Sequence, residues 1–187
     1  MRLATHFHPE PLAYTGPELR PHFLLTRFGL KGSALGAFIG PCRVATEHLV
    51  DWEDRLASDR IEAARMVHFL GEFFGAGLRE GVLSQRLLMS TMAETLSSHG
   101  IWRDGDDLFV GRGPAARKLS VSIVTASPVS VLLHAGINID PAGAPVPAIG
   151  LAELGVLPEP WILDILKRFS TELESLEWAC AKVRPVL

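Results

Sequence analysis

Apolar runs and polar breaks along the chain predict two groups of strands, with helices between and after them. FLLTRFGL at 23–30 and AFIGPCRV at 37–44 are short apolar runs bounded by glycine and proline, as strands are. The linking segment KGSALG is short and supplies glycine where the chain must reverse, so the two runs are expected to pair as an antiparallel hairpin. The spacing then lengthens. After VDWEDRLAS, residues Ile61, Met66, Phe69, Leu70 and Phe73 form an apolar stripe that predicts a helix, with Ser58 as its N-cap, Asp59 in its first turn and Gly75 or Gly77 at its exit. A second helix is predicted over about 79–98, with Val82, Met89, Met92 and Leu96 on one side and Gly100 just past the end.

The second strand group runs from Asp107: DLFV, the loop GRGPAA, KLSVSIVT, a turn at Ser127 and Pro128, then VSVLLHAGINI. The two long runs are joined tightly enough to form an antiparallel hairpin. Because side chains alternate in face along a strand, Lys118, Ser120 and Ser122 fall together, and so do His134, Gly136 and Asn138. Each set is polar and small, which leaves room for a ligand to approach the backbone. A last helix is predicted from Pro160 to about Lys182, its apolar stripe running from Ile162 through Ile165, Leu166, Phe169, Leu173 and Leu176 to Cys180. Strands and helices in blocks predict an α+β fold, a mostly antiparallel mixed sheet flanked by helices, in a single domain over residues 1–187.

Composition narrows the function classes. With 18 basic and 21 acidic side chains the net charge is -3, which gives no overall field for nucleic acid or an anionic membrane. The expected partner is therefore a small-molecule substrate, and a homo-oligomer stays open. The start of the chain lacks a signal-peptide pattern and no run of about 18 apolar residues occurs, so a cytoplasmic location is expected. Cys42 and Cys180 are the only cysteines, with no CxxC pair, which argues against a disulfide framework or a cysteine-rich zinc site. Cys180 belongs to an apolar stripe, whereas Cys42 follows Gly40 and Pro41 at a strand end, where a thiol can face a cleft.

Lys118 is the leading candidate for chemistry. An ammonium on a cleft floor can hold a carboxylate or phosphate and offset charge that develops in acyl transfer, although a solvated face explains the same residues. On the predicted helix, His68 and Glu72 are spaced i, i+4 and project from one face, a spacing that can hold a divalent ion or simply make a hydrogen-bonded pair. Asp51 and Asp54 precede that helix, as caps or as an acidic wall that selects an amine-bearing substrate or orients Mg2+ on a phosphate. Gln85 and Arg86 can reach a carboxylate or phosphate from the second helix. No complete metal-ligand set is assigned.

The order DDLFV, RKLSVSI, VSVLLHAGINID resembles the central block of the biotin and lipoate protein ligase superfamily, octanoyl transferases included, over residues 104–140. By that resemblance Lys118 matches the lysine that contacts the acyl carboxylate or adenylate phosphate, and Asp107 matches the aspartate of the preceding strand. His134, Gly136 and Asn138 match the closing strand, with Ala135 between a His and a Gly that are adjacent in octanoyl transferases. Over its length, the succession GPCRV, VDWEDR, MVHFLGEFF, SQRLL, GDDLFV, KLSVSI and HAGIN resembles domain of unknown function family 366. That resemblance implies a biotin/lipoate ligase-like fold, related to class II tRNA synthetase catalytic domains.

Departures matter as much. The chain has neither a GRGRxGR biotinyl-adenylate loop nor, in its first half, the arginine and Gly-rich triplet of lipoate ligases. GRGPAAR at 111–117 lies just before the lysine strand and reads as a loop, so ATP with Mg2+ is left open as a cofactor. The downstream cysteine of octanoyl transferases has only Cys180 as a counterpart. The resemblance thus implies acyl or adenylyl transfer at Lys118, with the substrate pocket drawn from His134, Gly136, Asn138, Asp107, Ser120, Asp51, Asp54, His68, Glu72 and Gln85. Two other readings stand beside it: a non-catalytic ligand-binding or partner-docking module of the same fold, and a metal-dependent hydrolase using His68 and Glu72.

Overall fold

The computed structural model describes residues 3–186. Its first half contains β1 (Ala4–His8), α1 (Phe23–Phe28), β2 (Ala34–Val44), α2 (Trp52–Leu56) and β3 (Ile61–Phe73). Helix α3 (Leu78–Thr95) leads to β4 (Ile101–Asp104), β5 (Asp107–Val110), β6 (Arg117–Lys118), β7 (Ser120–Ala126) and β8 (Val131–Asp140), and α4 (Pro158–Ala181) follows. Strands β1-β2-β3-β8-β7 make one sheet in that order, with β1 and β2 parallel and the other neighbours antiparallel. Strands β4-β5-β6 make a second, antiparallel sheet. The α+β prediction of a mostly antiparallel mixed sheet flanked by helices is therefore correct.

Two elements differ from expectation. Residues 61–73 form a strand, not a helix, and Ser58, expected as its cap, sits in the preceding turn at φ 58°. The cause is burial on both faces. Val67, Phe69 and Phe73 pack under the helices while Met66, Leu70 and their neighbours pack beneath the N-terminal segment, so apolar residues fill both parities and the two-residue period disappears. Residues 23–28, expected as a strand, form the one-and-a-half-turn helix α1, which Gly29 terminates in the left-handed region at φ 71°. The expected hairpin of 23–30 with 37–44 is replaced by the long antiparallel pairing of β2 with β3, from Ala34 opposite Glu72 to Val44 opposite Ile61.

The helices α3 and α4 and the β7–β8 hairpin match the sequence pattern, because each shows one apolar face or a local turn. Leu88, Met89 and Met92 of α3, with Ile162, Ile165 and Phe169 of α4, cover the sheet face made by Leu35, Val67, Phe69, Leu133 and Ile137. The opposite face carries Phe38, Met66 and Leu70 beneath Tyr14, Phe23 and Leu24. No helix among the described residues is long and apolar enough to cross a membrane.

Cys180 lies opposite to where its apolar stripe points, and Cys42 does not face a cleft. The stripe of α4 leaves the sheet after Phe169, so Leu176 and Cys180 are exposed, while Cys42 is buried on β2. Burial, reinforced by the charges of Glu18 and Glu62, pushes the Cys42 thiol up to about 12. A thiolate-specific disulfide reagent should therefore titrate one thiol in the native chain and a second only in denaturant. Equal native labelling of both cysteines would contradict this burial.

Candidate functional site

Lys118 sits where the two sheets meet. Its residue closes β6 in the small sheet, Leu119 crosses over, and Ser120 opens β7 in the large one. Leu119 N–H donates to Leu108 O at 2.8 Å and its carbonyl accepts from Asn138 N–H at 2.9 Å, so one residue is held by both sheets. The Lys118 backbone is equally fixed: its N–H donates to Pro147 O at 2.9 Å, and its carbonyl accepts from Ile149 N–H at 3.0 Å and from Asn138 Nδ2 at 3.3 Å. A rigid backbone aims a flexible side chain. Lys118 Nζ reaches Asp107 Oδ2 at 2.8 Å, the two side chains being 31% and 27% exposed.

Asp107 is placed by its neighbours in sequence. On one side Ser120 Oγ accepts from Leu108 N–H at 2.8 Å. On the other, Gln85 Nε2 donates to Asp106 Oδ2 at 3.0 Å and to Ser122 Oγ at 2.8 Å, and Ser122 Oγ donates to Asp106 O at 2.9 Å. The β5 strand is thus pinned to β7 at residues on either side of Asp107. Burial raises the Asp107 carboxyl above its ordinary range, and the Lys118 ammonium opposes that shift.

Beside this pair lies a cavity of about 380 Å³. Its wall includes Asp51 and Asp54 at the start of α2, where Asp51 Oδ1 caps the helix by accepting from Glu53 N–H at 2.7 Å. Asp59, Glu62, Asp106 and Asp107 add further carboxylates, against Lys118 and Arg60. Burial, then repulsion from Asp51 and Asp59, raises the Asp54 carboxyl, while Lys118 draws it back. An acidic mouth around one ordered lysine favours ligands whose anionic group reaches Nζ itself.

The wall also includes Tyr14, Met66, Val121, His134 and Asn138. His134 is 2% exposed, and its Nε2 lies 3.1 Å from Nδ1 of fully buried His68. Tyr14 stacks on His134 with ring centroids 3.9 Å apart and planes 9° from parallel, and Phe38 stacks on His68 at 5.0 Å. Burial holds both imidazoles neutral: His68 is lowered to about 3, with the Gly40 backbone opposing, and His134 is lowered by burial and by His68.

Residues 3–184 match the model of the family described as Domain of unknown function (DUF366). The chain belongs to this family. A structure described as a protein of unknown function from Pyrococcus horikoshi is 34% identical, with a TM-score of 0.89 over 98% of this chain and 100% of that one. More distant structures share the fold. A biotin protein ligase from Aquifex aeolicus, in complex with biotin and ATP, is 16% identical with a TM-score of 0.56 over 90% of this chain and 70% of its own. A bi-partite lipoate protein ligase from Thermoplasma acidophilum is 11% identical with a TM-score of 0.56 over 92% of this chain and 83% of its own. The fold is biotin/lipoate ligase-like.

On this DUF366 chain Lys118, Asp107, Ser120, Asp51, Asp54, His134 and Asn138 meet at one cavity. Gly136 does not line it: a Cβ there would stand 2.7 Å from Met66 Cε, so the glycine makes room for a core methionine. The pairing Val121 with Gly136 and Ile123 with His134 puts the histidine face of β8 beside Val121 and Ile123, on the opposite side of the sheet from Ser120 and Ser122. Strand β7 is the sheet edge, and the cavity reaches both faces around it. Gln85 acts from behind, through Asp106. His68 supports His134 and does not line the cavity.

Glu72 lies apart from the cavity. It is 3% exposed and accepts from His22 N–H at 2.9 Å and Ser130 Oγ–H at 2.8 Å, which ties α1 to the sheet. The metal pair of His68 and Glu72 falls with the predicted helix: on a strand, residues four apart are separated by about 13 Å, too far to share one ion. Sequence reasoning missed Tyr14, Asp59 and Asp106. Tyr14 sits in a proline-rich segment that reads as a loop and reaches the site only by bridging to Cys42 across sequence. Asp106 carried a signal, since it adjoins Asp107 in GDDLFV.

Proposed function

We propose that this chain binds an organic acid or its activated acyl form with the carboxylate or carbonyl oxygen against Lys118, and transfers the acyl group to an acceptor. The observation that carries this reading is the Lys118–Asp107 pair, ordered through the backbone on one side and through Gln85, Ser120 and Ser122 on the other, at the wall of the cavity. An ammonium held in place before reaction stabilises charge that develops on an acyl oxygen without reorganising. Asp107 keeps that ammonium aimed.

ATP fits the wall poorly as a bare anion, because Asp51, Asp54 and Asp59 would face its phosphates. The acyl group accordingly arrives already activated, as a thioester. The acceptor attacks the acyl carbon, the new bond forms as the C–S bond breaks, and the departing thiolate takes the acceptor's proton. The neighbours described as biotin and lipoate protein ligases support a carboxylic acid as the substrate class.

The test is calorimetric titration with a panel of short and medium-chain acids, together with single-turnover assays of the matching thioesters. Saturable acid binding and thiol release are expected without nucleotide. Pyrophosphate release that requires ATP and Mg2+ would replace the thioester route with adenylyl transfer. A panel in which no acid binds and no thioester turns over would leave only a non-catalytic module.

A further inference from the structure

The cavity wall ends on an imidazole whose second nitrogen is spoken for. His134 Nε2 shares one proton with His68 Nδ1 across 3.1 Å, which leaves His134 Nδ1 for the cavity that this residue lines. Neutral imidazoles carry one proton each, so the pair has two arrangements. When His68 Nδ1–H donates to His134, the remaining proton of His134 is on Nδ1 and is offered to the cavity. When His134 Nε2–H donates to His68, Nδ1 becomes an acceptor and His68 carries its own proton on buried Nε2, where no side chain accepts it and the Gly40 backbone is the group that favours a protonated ring. Tyr14 and Phe38 clamp the two rings from the sides, so neither ring turns away to find another partner.

Such a pair is costly unless a ligand uses it. An uncharged hydrogen-bonding nitrogen facing an apolar tail would lose its partner when the ligand displaced water. Lys118 and His134 also stand well apart: Asn138, which bonds to the Lys118 carbonyl, is four residues from His134 on β8, about 13 Å along the strand. One ligand of moderate length can touch both.

Resting on the acyl-binding reading, we propose that His134 selects acids whose far end carries a neutral hydrogen-bonding group, an amide or a hydroxyl, over acids that end in a methyl. His68 sets which proton His134 offers and so acts as a positioning residue. The burial of the two rings excludes a charged tail, because burial of an unpaired charge is far more costly than burial of a bonded amide.

The experiment compares octanoic acid, its ω-hydroxy acid and suberic acid monoamide by calorimetry, and repeats the comparison over shorter and longer homologues. The wild-type chain should bind the amide or hydroxy acid at least about tenfold tighter than the plain acid, the size of one net hydrogen bond. His134→Phe should abolish that ratio. Lys118→Ala should weaken all three acids and preserve it. Equal or tighter binding of octanoic acid by the wild type, or a ratio unchanged in His134→Phe, overturns the inference while leaving the acyl site in place. A ratio that depends on His134 with no effect of Lys118→Ala instead overturns the carboxylate placement alone, and binding of none of the acids overturns both. Should His134→Phe fail to fold, the wild-type ratio and the nitrogen-15 shift of the His134 ring on adding the monoamide decide the matter, a static shift counting against the inference.

Discussion

Lys118→Ala should weaken binding of the chain's acid ligand by roughly ten- to a hundredfold, the value of one hydrogen bond between charged groups. Two effects act together. The variant removes the ammonium that the ligand's anionic oxygen would meet, and it leaves Asp107 and Asp54 facing that oxygen with nothing to offset them. Asp107 should then titrate higher still, because burial already raises it and Lys118 is the group that opposes the rise. Fold stability should change little, since a half-buried ion pair beside an open cavity is worth about 1 kcal/mol. Lys118→Arg tests geometry at constant charge: a planar fork in place of a point charge should recover part of the affinity and little turnover. Calorimetry with the tightest acid of the panel, alongside thermal melts of both variants, separates these effects. Unchanged affinity in Lys118→Ala would show that the acid binds elsewhere.

How much of this site was legible depended on whether each residue's surroundings were local. The β7–β8 hairpin could be read because its two strands are joined by a short turn, and the faces of Ser120, Ser122 and His134 follow from alternation alone, whereas the run KLSVSIVT hides the crossover at Leu119 that puts Lys118 in the other sheet. What alternation cannot supply is register. Only the pairing of Ile123 with His134 shows that the serines and the histidine face opposite ways, and only the position of β7 at the edge lets one cavity reach both. Strand β3 was hidden because burial on both faces erased its period, yet His68 and Glu72 share a face under either reading, four being even on a strand and one turn on a helix. Their partners could not follow from that spacing. Glu72 meets His22 and Ser130, and His68 meets His134, each contact spanning fifty residues or more of sequence.

Gly40→Ala should be among the most damaging single substitutions in the chain, lowering stability by at least about 3 kcal/mol and the melting temperature by about 6–12 °C for a protein of this size. A Cβ at this position would overlap the Leu12 carbonyl oxygen and stand 2.6 Å from its carbon, and backbone cannot rotate aside as a side chain can. The segment it would push is stitched to β2 by Leu12 N–H to Ile39 O, Tyr14 N–H to Pro41 O and Arg43 N–H to Tyr14 O, each at 3.0 Å. Gly77→Ala is the control for packing, because its φ of -86° is ordinary and the nearest atom to an added Cβ is a Glu80 oxygen at 3.8 Å, so it should cost only the roughly 1 kcal/mol of an alanine at the N-cap of α3. A melting temperature within a degree or two of wild type in Gly40→Ala would contradict the packing of this segment. The functional consequence is selective. Tyr14 stacks on His134 and lies in the displaced segment, whereas the Lys118–Asp107 pair is held by β5, β7 and the loop at Pro147. Where the variant stays folded, at low temperature, discrimination between amide-ended and methyl-ended acids should therefore fall while the contribution of Lys118 to affinity persists, because the two ends of the cavity are anchored by different parts of the chain.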